Sequence, residues 1–190
     1  MSKIQILDPV TIDKIAAGEV VERPASIVKE LSENAIDAGA TAVTVEIEEG
    51  GISYIRIADN GCGIPKEEVP SAFLRHSTSK IRSVDDLLHI HSLGFRGEAL
   101  SSIAAVSQVE MITKTQEETF GTRYRISGGK EEDLEETGAK DGTTFIIRQL
   151  FYNTPARRKF FKDAYDRGQP RKRSYDPHGS VASGDFVPVH

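Results

Sequence analysis

Residues 24–40 have the sequence PASIVKELSENAIDAGA, and this stretch predicts an amphipathic helix. Pro24 suits the first helical turn, and Gly39 is the usual left-handed residue beyond a helix end. Apolar residues recur at helical spacing, so one stripe of the helix is predicted to be buried. This stripe consists of Ile27, Val28, Leu31 and Ala35. The helix therefore has one face for a core and a border that can carry polar chemistry.

The polar border of this helix carries Glu30, Asn34 and Asp37. Glu30 and Asn34 are one turn apart, so a carboxylate and an amide carbonyl project side by side. Mg²⁺ prefers such hard oxygen ligands, and a nearby carboxylate can orient and deprotonate an attacking water. The pair suits magnesium-dependent hydrolysis; the alternative is an ordinary solvated helix edge.

Apolar periodicity alternates between that of helices and that of strands up to about residue 165, which predicts an α+β sandwich with helices on one face of a mixed β-sheet. A β-hairpin is predicted over residues 43–59, around the turn Glu49-Gly50-Gly51. Further strands are predicted at 109–113, 122–126 and 143–150, and helices from Pro9, at 69–74, at 85–90, through SSIAAV and from Pro155.

The segment Asp59-Asn60-Gly61-Cys62-Gly63 directly follows the second hairpin strand. Its two glycines allow a planar ligand to lie against bare backbone, and the Asp59 carboxylate can accept a hydrogen bond from the amino group of a base. The alternative is an ordinary turn with Asp59 as a turn former.

Residues 93–100, LGFRGEAL, place closely spaced glycines directly before an apolar helix. Successive N–H groups at a helix start form a site for anions, and glycines allow such a loop to move. The chain contains no Gly-x4-Gly-Lys-Ser/Thr pattern, so a bound nucleotide needs this other kind of phosphate contact. The alternative is a purely structural loop.

Four further residues can supply polar contacts to a ligand. Thr78 and Lys80 precede the glycine loop and can add a hydroxyl and a cation, although a solvated lysine is the default. Thr143 and Thr144 follow Gly142, where β-propensity alone also favours threonine.

Composition excludes several classes of protein. The chain has 190 residues, a net charge of −5, one Cys and no Trp. Its longest apolar run is far below the roughly 20 residues of a transmembrane helix. The balance of charge is not the strongly basic footprint of a nucleic-acid-binding domain. The first residues do not form a secretory signal, so with the single Cys62 we expect a cytoplasmic protein.

The composition changes near the C-terminal end, where RGQPRKRSYDPHGSVASGDFVPVH has no apolar periodicity. We therefore expect a domain over residues 1–163 and an atypical, flexible tail over 164–190. Just before the tail, the basic run 157–159 adjoins Phe160 and Phe161. This helix is expected either to pack its aromatic residues inward and offer cations to DNA phosphates, or to be an ordinary solvated face.

Four segments in this order, ELSENAIDAGA, DNGCGI, SLGFRGEAL and GTT, resemble the nucleotide-binding motifs of the GHKL ATPases. This superfamily includes gyrase, ninety-kilodalton heat-shock chaperones and histidine kinases. Within it, residues 15–41, 94–106 and 150–160 resemble the N-terminal ATPase domain of the MutL family of DNA mismatch-repair proteins. The resemblance covers about residues 1–163 and implies the Bergerat-type two-layer sandwich.

The resemblance also implies roles for individual residues. Glu30 would be the general base, Asn34 the Mg²⁺ ligand, and Asp59 the carboxylate that contacts the adenine amino group, with Gly63 beside it. The lid over the phosphates would consist of Leu93, Gly94, Phe95, Arg96, Gly97, Glu98, Ala99 and Leu100, with Arg96 and Gly97 closest to them. Further contacts would come from Thr78, Lys80 and either Thr143 or Thr144, and Asp37 would support the helix and loop.

The function implied is an ATP- and Mg²⁺-dependent switch in DNA mismatch repair. ATP binding would close the lid and drive dimerisation of the full-length protein on DNA. The partners implied are a mismatch-recognition protein, the DNA phosphate backbone without sequence preference, and a second copy of the protein, with no membrane.

From about Ala164 the sequence departs from the family, whose chain continues into a second domain carrying a lysine that reaches the γ-phosphate. We therefore expect a truncated or frame-altered copy. The alternatives are a non-hydrolysing nucleotide-binding or interaction fragment, and an ATPase of the chaperone or topoisomerase type.

Overall fold

The computed structural model describes residues 9–75 and 98–168. Within these ranges the helices are α1 Pro9–Val20, α2 Pro24–Asp37, α3 Val69–Ala72, α4 Ala99–Val106 and α5 Pro155–Gly168. The strands are β1 Val43–Glu48, β2 Tyr54–Asp59, β3 Gln108–Lys114, β4 Gly121–Ser127, β5 Lys130–Thr137 and β6 Gly142–Arg148. Short 3-10 turns occupy Glu49–Gly51 and Lys66–Glu68. The helix predicted at 85–90 lies outside the described residues.

The described strands form one sheet in the order β1-β2-β6-β3-β4-β5. Each neighbouring pair is antiparallel, so the α+β sandwich is confirmed, whereas the expectation of a mixed sheet is corrected in this part of the chain. The connection from β2 to β3, which includes α3 and α4, leaves these two strands pointing the same way. They are not neighbours, because β6 inserts between them and pairs antiparallel with both.

The core lies between one face of the sheet and the helices. Ile57 and Ile147 are each 1% exposed, and the predicted stripe residues of α2 are buried as well: Ile27, Leu31 and Ala35. Val28, the fourth member of the stripe, packs partly buried against this cluster. The alternation of side chains along each strand sends every second residue to this face. The helix-facing side therefore holds the core, as two-layer packing requires.

The opposite face of the sheet is polar and carries cross-strand ion pairs. Arg148 contacts Glu110 at 3.0 Å and Arg123 contacts Glu135 at 3.1 Å. Half-exposed pairs of this kind contribute little stability each. These ion pairs mark the face of the sheet that is directed away from the helices.

Strand β5 was not predicted from the sequence. It has the sequence KEEDLEET, with Leu134 as its single apolar residue, and it pairs with β4 at one edge of the sheet. Acidic residues are depleted in strands, so propensity gave no signal here. The Arg residues of β4 compensate, because they lie opposite the β5 carboxylates.

Helix α5 continues to Gly168 and so passes the domain boundary expected at residue 163. The rest of the expected tail, residues 169–190, lies outside the described ranges, and the boundary stays a prediction. None of the described helices combines the length and the apolar character needed to cross a membrane.

Candidate nucleotide-binding site

Asp59 ends β2 with its carboxylate fixed through one oxygen. Oδ1 accepts hydrogen bonds from the backbone N–H groups of Gly61 at 2.8 Å and Thr143 at 3.3 Å. Oδ2 accepts no hydrogen bond from the described residues. One carboxylate oxygen is thus used for orientation, and the other is available to accept from a ligand amino group.

Two glycines bring backbone segments close together around Asp59. A Cβ on Gly142, which has φ +112°, would lie 2.2 Å from the carbonyl oxygen of Asp59. A Cβ on Gly63, which has φ +73°, would lie 2.2 Å from the carbonyl oxygen of Lys114. Both glycines are therefore required by the contact of the chain with itself, and for Gly63 this is in addition to its predicted contact with a flat ligand.

A pair of buried threonine hydroxyls lies beside Asp59. Thr143 Oγ1 and Thr113 Oγ1 are 3.0 Å apart, and Thr113 Oγ1 also accepts from the backbone N–H of Ile64 at 2.8 Å. The sequence did not single out Thr113, although its phase in β3, two residues after Met111, is that of a core-facing side chain. The hydroxyl pair connects the ends of β3 and β6 to the loop that follows Gly63.

The sheet register separates the two candidate threonines. Thr143 lies opposite Thr113 and is 7% exposed on the helix-facing side. Thr144 lies opposite Ala58 in β2, and alternation places it on the other side of the sheet. The structure thus brings Thr143 together with Asp59 and does not bring Thr144 to them.

Asn60 fixes the loop after β2 to the end of α2. Its Oδ1 accepts from the N–H groups of Thr41 and Ala42, both at 2.9 Å, and its Nδ2 donates to Thr41 Oγ1. The N–H of Cys62 donates to the carbonyl of Ala38 at 3.0 Å. The sequence analysis predicted a ligand contact or an ordinary turn for this segment and gave Asn60 no role, although the Asn-Gly pair was an available signal for a tight turn.

Helix α2 therefore connects Asp59 to the predicted catalytic pair. Its C-terminal neighbour Ala38 contacts the loop after Asp59, Asn34 lies one turn earlier and Glu30 two turns earlier. With a rise of about 1.5 Å per residue, Glu30 is about 12 Å along the helix from Ala38. The three predicted residues thus follow one another along an extended site rather than forming one cluster.

Glu30 lines a narrow crevice between three helices. The other walls include Val20 at the end of α1 and Ala99 at the start of α4. The first N–H groups of an α-helix have no partner within the helix and carry its positive dipole end. The start of α4, where Ala99 lies, and Glu30 of α2 thus line the same crevice.

The predicted lid is described only at its C-terminal end. The Glu98 carbonyl accepts from Ser102 N and Ser101 Oγ, both at 3.0 Å, and closes the first turn of α4. Leu100 packs partly buried against the core. The remaining lid residues, Leu93, Gly94, Phe95, Arg96 and Gly97, lie outside the described residues, as do Thr78 and Lys80.

The donors on α2 fit a magnesium ion held mainly by its nucleotide. Asn34 and Glu30 offer an amide and a carboxylate oxygen one turn apart. Among the residues that the structure describes, no three His, Cys, Asp or Glu side chains converge on a metal site. Mg²⁺ is commonly bound through one or two protein oxygens together with phosphates and water. The donor set therefore fits Mg²⁺ accompanied by phosphates.

Glu118 fixes the other side of the loop that contains Gly63. Its carboxylate accepts from the backbone N–H groups of Thr115 and Lys66, each at 3.0 Å, and from Thr115 Oγ1 at 2.9 Å. These hydrogen bonds, first those from the backbone, lower the pKa of Glu118. The charged carboxylate is thus the form that holds the loop.

The basic run on α5 differs from its expected orientation. Arg157 points into the protein, Arg158 donates to the side chain of Gln149, and Lys159 is exposed. Phe161 stacks on Phe151, but Phe160 is 63% exposed. The expectation of inward aromatic residues and outward cations is therefore corrected at Arg157 and Phe160.

Comparison with known proteins gives consistent similarities. Over residues 19–152 the chain matches the family described as histidine kinase-, DNA gyrase B-, and HSP90-like ATPase. It is 70% identical over 168 residues to DNA mismatch repair protein MutL of Agathobacter rectalis, covering 88% of this chain and 26% of that protein. MutL of Caldanaerobacter subterraneus is 59% identical over 162 residues, which is 85% of this chain and 28% of that protein. The chain thus spans about a quarter of the length of these curated relatives.

Solved structures show the same relationship. The N-terminal domain of a DNA repair protein superposes with a TM-score of 0.68 and 32% identity, covering 82% of this chain and 44% of that one. The Aquifex aeolicus MutL ATPase domain complexed with ADP gives a TM-score of 0.57 and 32% identity, covering 78% and 52%. The chain therefore belongs to the histidine kinase-, DNA gyrase B- and HSP90-like ATPase family, and within that family it is similar to MutL ATPase domains.

Proposed function

We propose that this chain is the ATP-binding, Mg²⁺-dependent ATP-hydrolysing part of a MutL-type mismatch-repair protein. The observation that carries the proposal is the Asp59 carboxylate, which is anchored through Oδ1 and leaves Oδ2 without a partner among the described residues. Support comes from the relative whose structure contains ADP. The relatives named MutL support the assignment to mismatch repair.

Asp59 would select adenine. Its Oδ2 accepts a hydrogen bond from the exocyclic amino group of adenine, whereas guanine presents a carbonyl oxygen at the same position. Two acceptors that face each other leave both groups unpaired, which costs about 1–3 kcal/mol. The base therefore binds at the end of α2, and the phosphates extend from there along the helix.

The phosphates would lie between α2 and the start of α4. The N-terminal dipole of α4 favours negative charge, and Asn34 would hold Mg²⁺, which neutralises phosphate charge when it is bound. This position lies beside the crevice that Glu30 lines. The γ-phosphate would thus lie next to Glu30, the catalytic base in this proposal.

Glu30 would act on water. A carboxylate oxygen accepts a proton from the water, whose oxygen attacks the γ-phosphorus while the bond to the β-γ bridging oxygen breaks. ADP and inorganic phosphate leave, and the proton returns from Glu30 to solvent or product. Positioned general bases of this kind contribute roughly 10²- to 10⁴-fold in rate.

Hydrolysis would serve a conformational switch. In this proposal ATP binding closes Leu93–Leu100 over the phosphates and drives N-terminal dimerisation on DNA, where a mismatch-recognition protein is the partner. The exposed Ile12 and Ile15, 43% and 55% accessible on one face of α1, support a surface that a second copy covers. Hydrolysis then reopens the dimer.

The test compares Glu30→Gln with Glu33→Gln on the same helix. Glu33 forms an i,i+4 ion pair with Lys29 at 3.3 Å and has no role in the proposed chemistry. We expect Glu30→Gln to keep ATP affinity, measured by calorimetry, while hydrolysis falls roughly 10²- to 10⁴-fold. Glu33→Gln should keep both.

Three outcomes discriminate between the functions. Equal hydrolysis by Glu30→Gln and the parent chain contradicts the role of Glu30. ATP binding without any hydrolysis by the parent favours the non-hydrolysing binding module. Absence of ATP binding by the parent overturns the proposed function altogether.

A further inference from the structure

Arg157 connects the start of α5 to the junction between α1 and α2. Its Nη2 donates to the carbonyl oxygens of Gly18 and Glu22, both at 3.0 Å. These carbonyls lie in the last turn of α1 and in the residues that lead to α2. The Gly18 carbonyl is one of the C-terminal carbonyls that lack a partner within a helix, and the guanidinium joins it to the Glu22 carbonyl beyond the helix end through charge-assisted hydrogen bonds.

The anchor is held rigidly on its own side. The Arg157 guanidinium lies 4.7 Å from the centroid of the Phe151 ring, which is 0% exposed and stacks on Phe161 at 5.4 Å. Phe151 adopts φ +62°, a conformation that non-glycine residues rarely keep without strong surroundings. Its N–H donates to the Val106 carbonyl at the end of α4. The Arg157 side chain is therefore placed by both the core and α4.

The carbonyls that Arg157 binds adjoin the wall of the Glu30 crevice. Val20 and Val21 line that crevice and lie between Gly18 and Glu22 in the sequence. Ser26 and Glu30 of α2 line it from the other side of the same junction. A change in the α1–α2 junction would therefore move one wall of the crevice relative to the other.

We propose that Arg157 is a positioning residue for Glu30. Its guanidinium fixes the α1–α2 junction against α5 and thereby holds the wall of the crevice formed by Val20 and Val21 in place relative to Glu30. The inference rests on the proposed function of Glu30. Burial lowers the pKa of Arg157, with Glu22 opposing this effect, but an arginine stays charged at physiological pH. The charge of Arg157 is therefore constant at physiological pH, and its contact couples α5 to the end of the site at which Glu30 lies.

The test uses this chain with Arg157→Met, which keeps the aliphatic stem over Phe151 but lacks the donors. Arg158→Met is the matched control, because it removes the neighbouring charge from the same helix and contacts Gln149 rather than α1. The measurements are kcat and KM for ATP, and amide hydrogen exchange across residues 18–27. Displacing a catalytic group by about 1 Å can cost about 10²-fold in rate.

We expect Arg157→Met to lower kcat about 100-fold with KM unchanged, and to speed exchange across residues 18–27. Arg158→Met should change neither. Arg157→Lys, which keeps one donor and the charge, should restore part of kcat and serves as the test if the methionine variant does not fold. A change in KM as large as the fall in kcat, or turnover equal to that of the parent, overturns the inference.

Failure of this inference is distinguishable from failure of the proposed function. If the parent hydrolyses ATP and Glu30→Gln does not, but Arg157→Met equals the parent, only the positioning role is wrong. If the parent does not hydrolyse ATP, the proposed function fails at that step. In that case, amide hydrogen exchange across residues 18–27 still tests the structural role of Arg157. Equal exchange rates in Arg157→Met and the parent would show that Arg157 does not hold the α1–α2 junction.

Discussion

Asp59 and Thr143 are 84 positions apart in the sequence, yet the backbone N–H of Thr143 donates to Asp59 Oδ1 at 3.3 Å. The contact exists because β6 pairs with β2 from Arg148 to Thr144, opposite Tyr54 to Ala58, and so brings Thr143 next to Asp59 at the end of that strand. The orientation of the Asp59 carboxylate is thus set by a strand that lies much later in the sequence. Changes at the start of β6 should therefore alter nucleotide selectivity.

Asp59→Asn should replace the acceptor Oδ2 by an NH₂ donor, while Oδ1 keeps its two hydrogen bonds from the backbone. The asparagine Oδ1 can still accept from Gly61 and Thr143, but an NH₂ group replaces Oδ2 and faces the adenine amino group donor to donor. We expect ATP affinity to fall by about 1–3 kcal/mol. Competition between ATP and GTP for the chain, followed by fluorescence or calorimetry, measures the effect.

Asp133→Asn is the control for this substitution, because it removes a carboxylate on the outer sheet face, where Asp133 contacts Arg125. It should leave both affinities unchanged. Comparable affinities of the parent chain for ATP and GTP would show that Asp59 does not read the base.

Gly142→Ala should destabilise the chain strongly. A Cβ there would lie 2.2 Å from the Asp59 carbonyl oxygen, and φ +112° is unfavourable for any L side chain. Strained backbone of this kind costs about 1–3 kcal/mol before the steric contact is added. The free energy of unfolding in urea gives the measurement.

Gly138→Ala provides the comparison, since an added Cβ at that position meets nothing within 4 Å. It should be neutral or stabilise the chain by up to about 1 kcal/mol through the unfolded state. Equal unfolding free energies for the two variants would contradict the contact between Gly142 and Asp59.

The sequence was sufficient to predict most helices and strands, because apolar periodicity and turn residues specify them locally. It could not reveal that Val45 and Ile47 lie on the edge strand, where they are 41% and 49% exposed, because alternation does not encode a strand's neighbours. It also missed β5, whose acidic residues become favourable only beside the arginines of β4.

The site was predictable only in part for the same reason. Local motifs indicated Glu30, Asn34 and Asp59, but the choice between Thr143 and Thr144 required the register of β6 against β2 and β3. Thr113 and Arg157 act through contacts with residues distant in sequence. No local pattern indicated Thr113, and the basic run that contains Arg157 did not indicate its contact with Gly18, so only the fold identifies these contacts.

The stabilisation that Tyr124 gives to the folded chain should be lost in alkaline solution. Burial, followed by the hydrogen bond to Glu131 at 3.0 Å, raises the pKa of Tyr124 to about 12. An unfolded tyrosine loses its proton near pH 10, so the stabilisation is complete below pH 10 and is lost as pH rises towards 12. The parent's advantage over Tyr124→Phe in urea unfolding should therefore shrink across this range. A constant difference between the two chains would contradict the assignment.

The contribution of Glu118 to stability should depend on pH in the opposite direction and be lost in acid. Its pKa is lowered by hydrogen bonds from the backbone of Thr115 and Lys66 and from the Thr115 hydroxyl. In the unfolded chain the carboxyl has its ordinary pKa near 4.3. The stabilisation is therefore complete above that pH and is lost as pH falls through the lower folded value. The parent's advantage over Glu118→Gln in unfolding free energy should be constant near pH 7 and should shrink below about pH 4.3.

Glu117→Gln separates this effect from the simple loss of a negative charge, since Glu117 is exposed and adjoins Glu118. Because the Glu118 carboxylate holds the N–H of Lys66, three residues after Gly63, its loss should also loosen the loop against which we place the base. Glu118→Gln should therefore weaken adenosine binding at pH 7, where Glu117→Gln should not. Equal binding and equal acid dependence for the two variants would show that the carboxylate of Glu118 does not hold this loop.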